Sequence, residues 1–251
     1  MATPTIKSFD KSMEVLRLLL ESPESMEIDA VCREVGVPMS TAYRYLTTLT
    51  RSGLLFRRRR GTYLPNPAFL KELARFDANA ILGDCVRPGM AELGETLNTI
   101  VHFGVLEDEM VNYLVKITPA DAQLFTRENQ QLEAYCSAIG KVLLADLPDR
   151  DIDVYLSSGA FPSLTSRTMT APEEIRSALM KTREQAFGVD DGEIDDNLFC
   201  LAVPVRDVRG RLLGAVSASS HTRDFITNRR AETLSTLRLA AGKLSAVFGT
   251  G

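Results

Sequence analysis

Paired cysteines, histidine and long apolar runs are scarce in this 251-residue chain, and each scarcity closes off a class of function. Four cysteines, Cys32, Cys85, Cys136 and Cys200, stand far apart without a C-x-x-C pair, and only His102 and His221 are available to join them around a metal. No metal site is expected, and in a reducing compartment the thiols should pack as small apolar residues. No apolar run approaches the roughly 20 residues of a membrane span. The start, MATPTIKSFDKS, lacks the basic opening and apolar block of a signal peptide, so a cytoplasmic location and no membrane partner are expected. Internal repeats and low-complexity stretches are absent. So are H-E-x-x-H, G-x-S-x-G and G-x-G-x-x-G, and Gly140-Lys141 lacks both the upstream glycine and the following Ser/Thr of a P-loop. Neither catalysis nor a cofactor is expected.

What is present reads as globular. With 45% hydrophobic and 25% charged residues the chain can bury a full core, and its length suits two domains. The net charge of −4 hides an asymmetry. Residues 1–75 carry 12 basic against 8 acidic side chains, and the remaining 176 carry 17 against 25. Between Ser40 and Arg60 lie six arginines (Arg44, Arg51, Arg57, Arg58, Arg59, Arg60) and no acid. Such a stretch attracts a polyanion, because each phosphate neutralised releases condensed counterions; on charge alone, a solvated face explains it equally well.

The surrounding pattern favours DNA. Phe9, Met13, Leu16 and Leu20, with Val15 and Leu19, recur at helical spacing behind Ser8 or Asp10 as caps. A second short helix through Ile28, Val31, Cys32 and Val35 should stop at Gly36, and after Val37-Pro38-Met39 a third should run from an N-capping Ser40 to about Arg51. Ala42, Tyr45, Leu46 and Leu49 share one of its faces; Ser40, Thr41, Tyr43, Arg44, Thr47, Thr48 and Arg51 share the other. Hydroxyls and a helix N-terminus suit phosphates, and Arg44 offers two donors to a guanine edge. Leu54 to Arg57 and Thr62 to Leu64 flank a turn near Arg60-Gly61, a hairpin whose arginines would lie along a backbone or in a minor groove. The alternatives are a winged helix that binds protein only, or an enzyme with an appended nucleic-acid module.

Taken together these residues resemble an IclR-type transcriptional regulator over nearly the whole chain. The winged helix resembles the segment from Ser8 to Leu55, including Ser40-Thr41-Ala42-Tyr43-Arg44. The effector domain resembles YCSAIGKVLLADLP, the span from Asp190 to Cys200 with AVPVRD, and GRLLGAVSASS. The resemblance implies an α+β chain: an α-rich winged helix-turn-helix domain over residues 1–66, a linker helix over 67–80, and a GAF-like effector-binding and oligomerisation domain over 81–251 with a central antiparallel sheet. It also implies a repressor or activator that binds a palindromic double-stranded operator as a homodimer or dimer of dimers and answers to a small-molecule effector. The spacing of Asp190, Cys200, Ser217 and Ser219 resembles that of the family's ligand pocket.

Read without the family, residues 68–80 form a helix connecting the halves, and another follows with Val86, Met90, Leu93 and Leu97 on one side and Pro88 near its first turn. TIVHFGVL and MVNYLVKI read as a β-hairpin, and later helices and strands give a mixed order ending in a helix from Asn228 to Phe248. Ser137 can cap a helix starting at Ala138, leaving the amides of Ala138, Ile139 and Gly140 to face a carboxylate, with Lys141 adding charge nearby. Ser217 and Ser219 leave their strand on one side and Cys200 supplies an apolar wall. An ionised Asp190 would repel an anion, so a hydroxy acid, a neutral ligand or a protonated aspartate fits better. Each residue also has an ordinary reading: Cys200 as core, the serines as solvent-facing, Gly140-Lys141 as helix surface, His102 as a satisfied, partly buried histidine, and Phe103, Tyr113 and Phe125 as core.

Overall fold

The computed structural model describes residues 6–22, 26–119 and 124–249. The chain forms two compact units, Met1–Asp77 and Ala78–Gly251.

The N-terminal unit runs α1 (Lys7–Glu21), β1 (Met26–Glu27), α2 (Ile28–Val35), α3 (Met39–Arg51), β2 (Leu55–Arg59), β3 (Thr62–Pro65) and α4 (Pro67–Leu73). Val15, Leu16 and Leu19 of α1, Val31 of α2 and Ala42, Leu46 and Leu49 of α3 close one core over the hairpin residues Leu55 and Tyr63. Alpha2 ends as its sequence demands: Gly36 adopts φ +67°, and its N–H donates to the Cys32 carbonyl at 3.0 Å.

Several local expectations are corrected. Neither Ser8 nor Asp10 caps α1, which starts at Lys7 behind Ile6, and Phe9 and Leu20 of its supposed apolar face are exposed. Ser40 does not cap α3 either, because Pro38 takes that position with the fixed φ that a helix entry tolerates, placing Ser40 in the first turn. Strand β2 extends to Arg59, and β1 adds a third strand, giving an antiparallel sheet in the order β1-β3-β2. The connector is not one helix over 67–80: α4 stops at Leu73, and helix resumes only at Ala78.

The C-terminal unit opens with α5 (Ala78–Leu97), in which Pro88 lies inside the helix rather than near its first turn. Then follow β4 (Ile100–Glu107), β5 (Met110–Ile117), β6 (Gln131–Glu133), α6 (Ala138–Ala145), α7 (Asp149–Ser158), α8 (Pro172–Gln185), β7 (Gly188–Asp191), β8 (Phe199–Arg206), β9 (Leu212–Ser220) and α9 (Arg230–Val247). Six strands pair antiparallel in the order β6-β5-β4-β9-β8-β7. Between β4 and β5, Asp108 and Glu109 both take positive φ, the geometry of a two-residue hairpin turn that follows strand twist.

Alternation along the strands builds two cores. Phe103, Leu201 and Val216 face Val86 and Met90 of α5 and Leu237 and Leu244 of α9. On the opposite face Cys200, Ala202 and Ala215 meet Ile139, Val142 and Leu143 of α6, with α7 and α8 beyond. Phe103 and Tyr113 are buried as expected, whereas Phe125 is exposed.

Candidate nucleic-acid interface and effector cavity

In the N-terminal unit the outer face of α3 is bare. Ser40, Tyr43, Arg44, Thr47, Thr48 and Arg51 are exposed and Thr41 is half-buried, while Ala42, Leu46 and Leu49 turn inward. Thr48 differs from Thr47, since its hydroxyl donates to the Arg44 carbonyl at 2.8 Å and can offer a partner only its acceptor side. Arg57, Arg58, Arg59 and Arg60 are all exposed. The register slips between Arg57, opposite Tyr63, and Arg59, opposite Thr62, so Arg58 is the extra residue of a bulge, which twists the hairpin. Arg59 is tethered: its Nε donates to Thr62 Oγ1 at 3.2 Å and its guanidinium lies 3.6 Å from Glu27. Among the described residues, Arg44, Arg51, Arg57, Arg58 and Arg60 have no acidic partner. Together they form a cationic surface that no acidic side chain among the described residues neutralises by direct pairing.

In the C-terminal unit, strand register assembles the site. Asp190 on β7 pairs with Cys200 on β8, which pairs with Ser219 on β9, making one rung; two residues along, Ala202, Ser217 and His102 make the next rung on the same face. Over these rungs sits the start of α6. Ser137 caps it as the sequence predicts, Oγ accepting from the Gly140 N–H at 3.0 Å. Two glycines allow the close packing. A Cβ on Gly140 would lie 2.1 Å from the Ala134 carbonyl oxygen, and one on Gly188 would lie 2.3 Å from that of Ala138. The result is a cavity of about 10 Å³, roughly the room of one water molecule, lined by Ala138, Ile139, Asp190, Cys200, Ser217 and Ser219 and also by His102, Tyr113, Leu124, Thr126 and Leu198.

Six of the seven expected effector residues thus share one cavity. Gly140 does not line it, because its N–H is spent on the cap and its bare Cα faces Ala134. The amides of Ala138 and Ile139 remain as the donors that the helix terminus presents. Cys200 Sγ donates to Ser219 Oγ at 3.2 Å. Asp190 is fully buried; its Oδ1 accepts from the Glu193 N–H at 2.7 Å, and its Oδ2 has no partner. Burial pushes its carboxyl up to about 7, opposed by the Glu193 amide and the Lys141 charge.

Sequence reasoning missed the opposite wall and the buried ion pair. His102 is 2% exposed, its Nε2 is 2.8 Å from Thr126 Oγ1 and its ring lies 4.7 Å from that of Tyr113; burial, then the Lys116 charge, lower it to about 3, so it is neutral. Lys141 is not surface. Its ammonium donates to the Glu193 carboxylate and, at 2.9 Å, to the Val189 carbonyl. Thr165 and Thr168 then clasp the loop, their hydroxyls donating to the carbonyls of Gly192 at 2.7 Å and Glu193 at 2.6 Å. Among the described residues no His, Cys, Asp and Glu cluster could hold a metal and no helix is long and apolar enough to cross a membrane.

A bare cationic recognition helix with a wing, joined in one chain to a separate unit with a small polar cavity, defines a DNA-binding regulator with an effector domain. Residues 79–246 match the bacterial transcriptional regulator IclR C-terminal domain and residues 8–59 the IclR helix-turn-helix domain, so the chain belongs to the IclR family of transcriptional regulators, which are not enzymes. It is 30% identical over 247 residues to the HTH-type transcriptional regulator KdgR of Escherichia coli, covering 98% of this chain and 94% of that protein. Among solved structures, the C-terminal domain of E. coli KdgR matches at 31% identity with a TM-score of 0.61, covering 67% of this chain and 99% of that one. An IclR homolog from Microbacterium hydrocarbonoxydans complexed with 4-hydroxybenzoate shares the fold at 22% identity and a TM-score of 0.63, covering 96% of this chain and 98% of that one.

Proposed function

We propose that this regulator acts in the cytoplasm as a homodimer or dimer of dimers on a palindromic operator, with half-sites about one helical turn, or a multiple, apart. Residues 1–66 serve as the DNA-binding domain, 67–80 as the link and 81–251 as the effector-binding and oligomerisation domain. Helix α3 enters the major groove. Arg44 reads a guanine edge, Ser40, Thr41, Tyr43, Thr47, Thr48 and Arg51 hold phosphates or flanking bases, and Arg57, Arg58 and Arg60 of the wing follow the backbone, with Arg59 bracing the hairpin. The observation that carries this reading is the outward, acid-free face of α3, its arginines unpaired among the described residues.

The effector is a small carboxylic or aromatic acid bound against the amides of Ala138 and Ile139, with Ser217 and Ser219 as hydrogen-bonding partners and Cys200 as wall, and the cavity, which now has room for about one water, widens to admit it. The 4-hydroxybenzoate complex of the structural relative is in keeping with that class. Bound effector favours one placement of the two winged helices in the dimer and so changes operator affinity, by no more than the difference in its own affinity for the two arrangements. Titrating such an acid into free and operator-bound protein tests the coupling: unequal affinities are expected, and equal ones would refute it.

A further inference from the structure

The cavity of the C-terminal unit is lined by one more acid than its bases can match. Asp190 lies wholly buried with Oδ2 unpartnered. The cation beside it, Lys141 of α6, is committed to Glu193 and the Val189 carbonyl, so those two charges cancel. Lys116 on β5 stands behind His102 with its ammonium on the Leu124 and Thr126 carbonyls, and the remaining titratable groups around Asp190 are neutral. They are Cys200 on β8, Cys136 ahead of α6 and Tyr113 on β5, each pushed up by burial, and His102 on β4, which burial keeps unprotonated. Opposite stand the amides of Ala138 and Ile139 at the head of an eight-residue helix, a place for negative charge.

We propose that the cavity takes up a small carboxylic acid together with one proton, which Asp190 holds and donates to the ligand carboxylate while the α6 amides bear its charge. The proposal rests on the effector-site reading above. Two ionised carboxylates confined in so small and buried a space repel strongly, whereas one proton between them makes a short, charge-assisted O–H···O hydrogen bond. Geometry allows the donation, because Oδ1 is fixed by the Glu193 amide and Oδ2 is the atom left over. The proton comes from solvent. Below about pH 7 Asp190 already carries it, and binding is pH-independent; above, each ligand bound takes up one proton, and affinity falls about tenfold per pH unit. A carboxylate is then favoured over its amide below pH 7, and the preference fades as pH rises.

Calorimetry on the full chain tests this between pH 6 and 9, in two buffers of different ionisation heat. The probes are acetate, pyruvate, benzoate and 4-hydroxybenzoate, with acetamide and benzamide as neutral counterparts. At least one acid should bind at pH 6, weaken about tenfold per unit above pH 7, and take up close to one proton at pH 8. In Asp190→Asn the amide NH₂ replaces the acid as donor, so the pH dependence and the proton uptake should vanish, with the same affinity at pH 6 and pH 9. An acid whose pH-independent binding is lost in Ser219→Ala would overturn the proton-coupled step and leave the effector site in place. Binding of amides but no acid would do the same. Failure of every probe would overturn both.

Discussion

The two units put their charges to opposite uses. In the N-terminal unit five arginines stand in solvent on α3 and the wing without an acidic partner among the described residues, while the interior beneath them is apolar. In the C-terminal unit Asp190, Glu193, Lys141 and His102 lie inside, wired to backbone amides, carbonyls and one another. Free surface charge adds little to stability but is available to a polyanion, whereas buried charge is costly unless paired and therefore fixes local geometry. Substitutions should separate the units accordingly: stability should answer to the C-terminal set and DNA affinity to the N-terminal one.

The largest effect is expected from Glu193→Ala, which strands Lys141 in the interior and should destabilise the C-terminal unit by about 3 to 5 kcal/mol in chemical denaturation. Lys141→Met combined with Glu193→Leu should recover most of that loss. If the single variant melts like wild type, the buried pair is not what holds the loop and the contrast fails. Next comes Gly140→Ala, whose methyl must displace the Ala134 carbonyl; about 1 to 3 kcal/mol should be lost, with the cavity distorted. Asp190→Asn has a pH signature. Because the folded carboxyl sits near 7 against an ordinary value of 3.8, its contribution is fully present below the ordinary value and is lost as pH rises through the folded one. The variant should therefore gain stability relative to wild type progressively from pH 4 to 7, and a constant difference across that range would contradict a protonated Asp190. Arg58→Ala should be the smallest: melting within about 0.5 kcal/mol of wild type, with the salt slope of DNA binding reduced by about one.

The contrast also explains what could be read from sequence. The recognition helix and wing lie within residues 39–65, so helical periodicity and turn chemistry brought Arg44, Thr47 and Arg57 to Arg60 together without knowledge of tertiary packing. Errors there were local. Pro38 displaced Ser40 as the cap, and the two-residue β1 was too short to leave a period. The cavity is different, because its walls come from β4, β5, α6, β7, β8 and β9 and meet only through register. Ser137 announced its cap, and the spacing of Asp190, Cys200, Ser217 and Ser219 carried the family resemblance. His102 read only as a satisfied, partly buried histidine and Thr126 not at all, because nothing along the chain reveals that His102 pairs with Ser217. Lys141 read either as charge beside the site or as helix surface, because its partner stands 52 residues away.

The most direct measurement is the affinity of wild type and Arg44→Ala for a duplex from the chain's own upstream region and for an unrelated duplex, each over a range of salt. Log affinity should fall linearly with log salt for both duplexes. Arg44→Ala should weaken the upstream duplex by about 1 to 3 kcal/mol and leave the unrelated one nearly unchanged. Affinity that ignores salt, or an equal loss on both duplexes, would contradict base reading by the open face of α3.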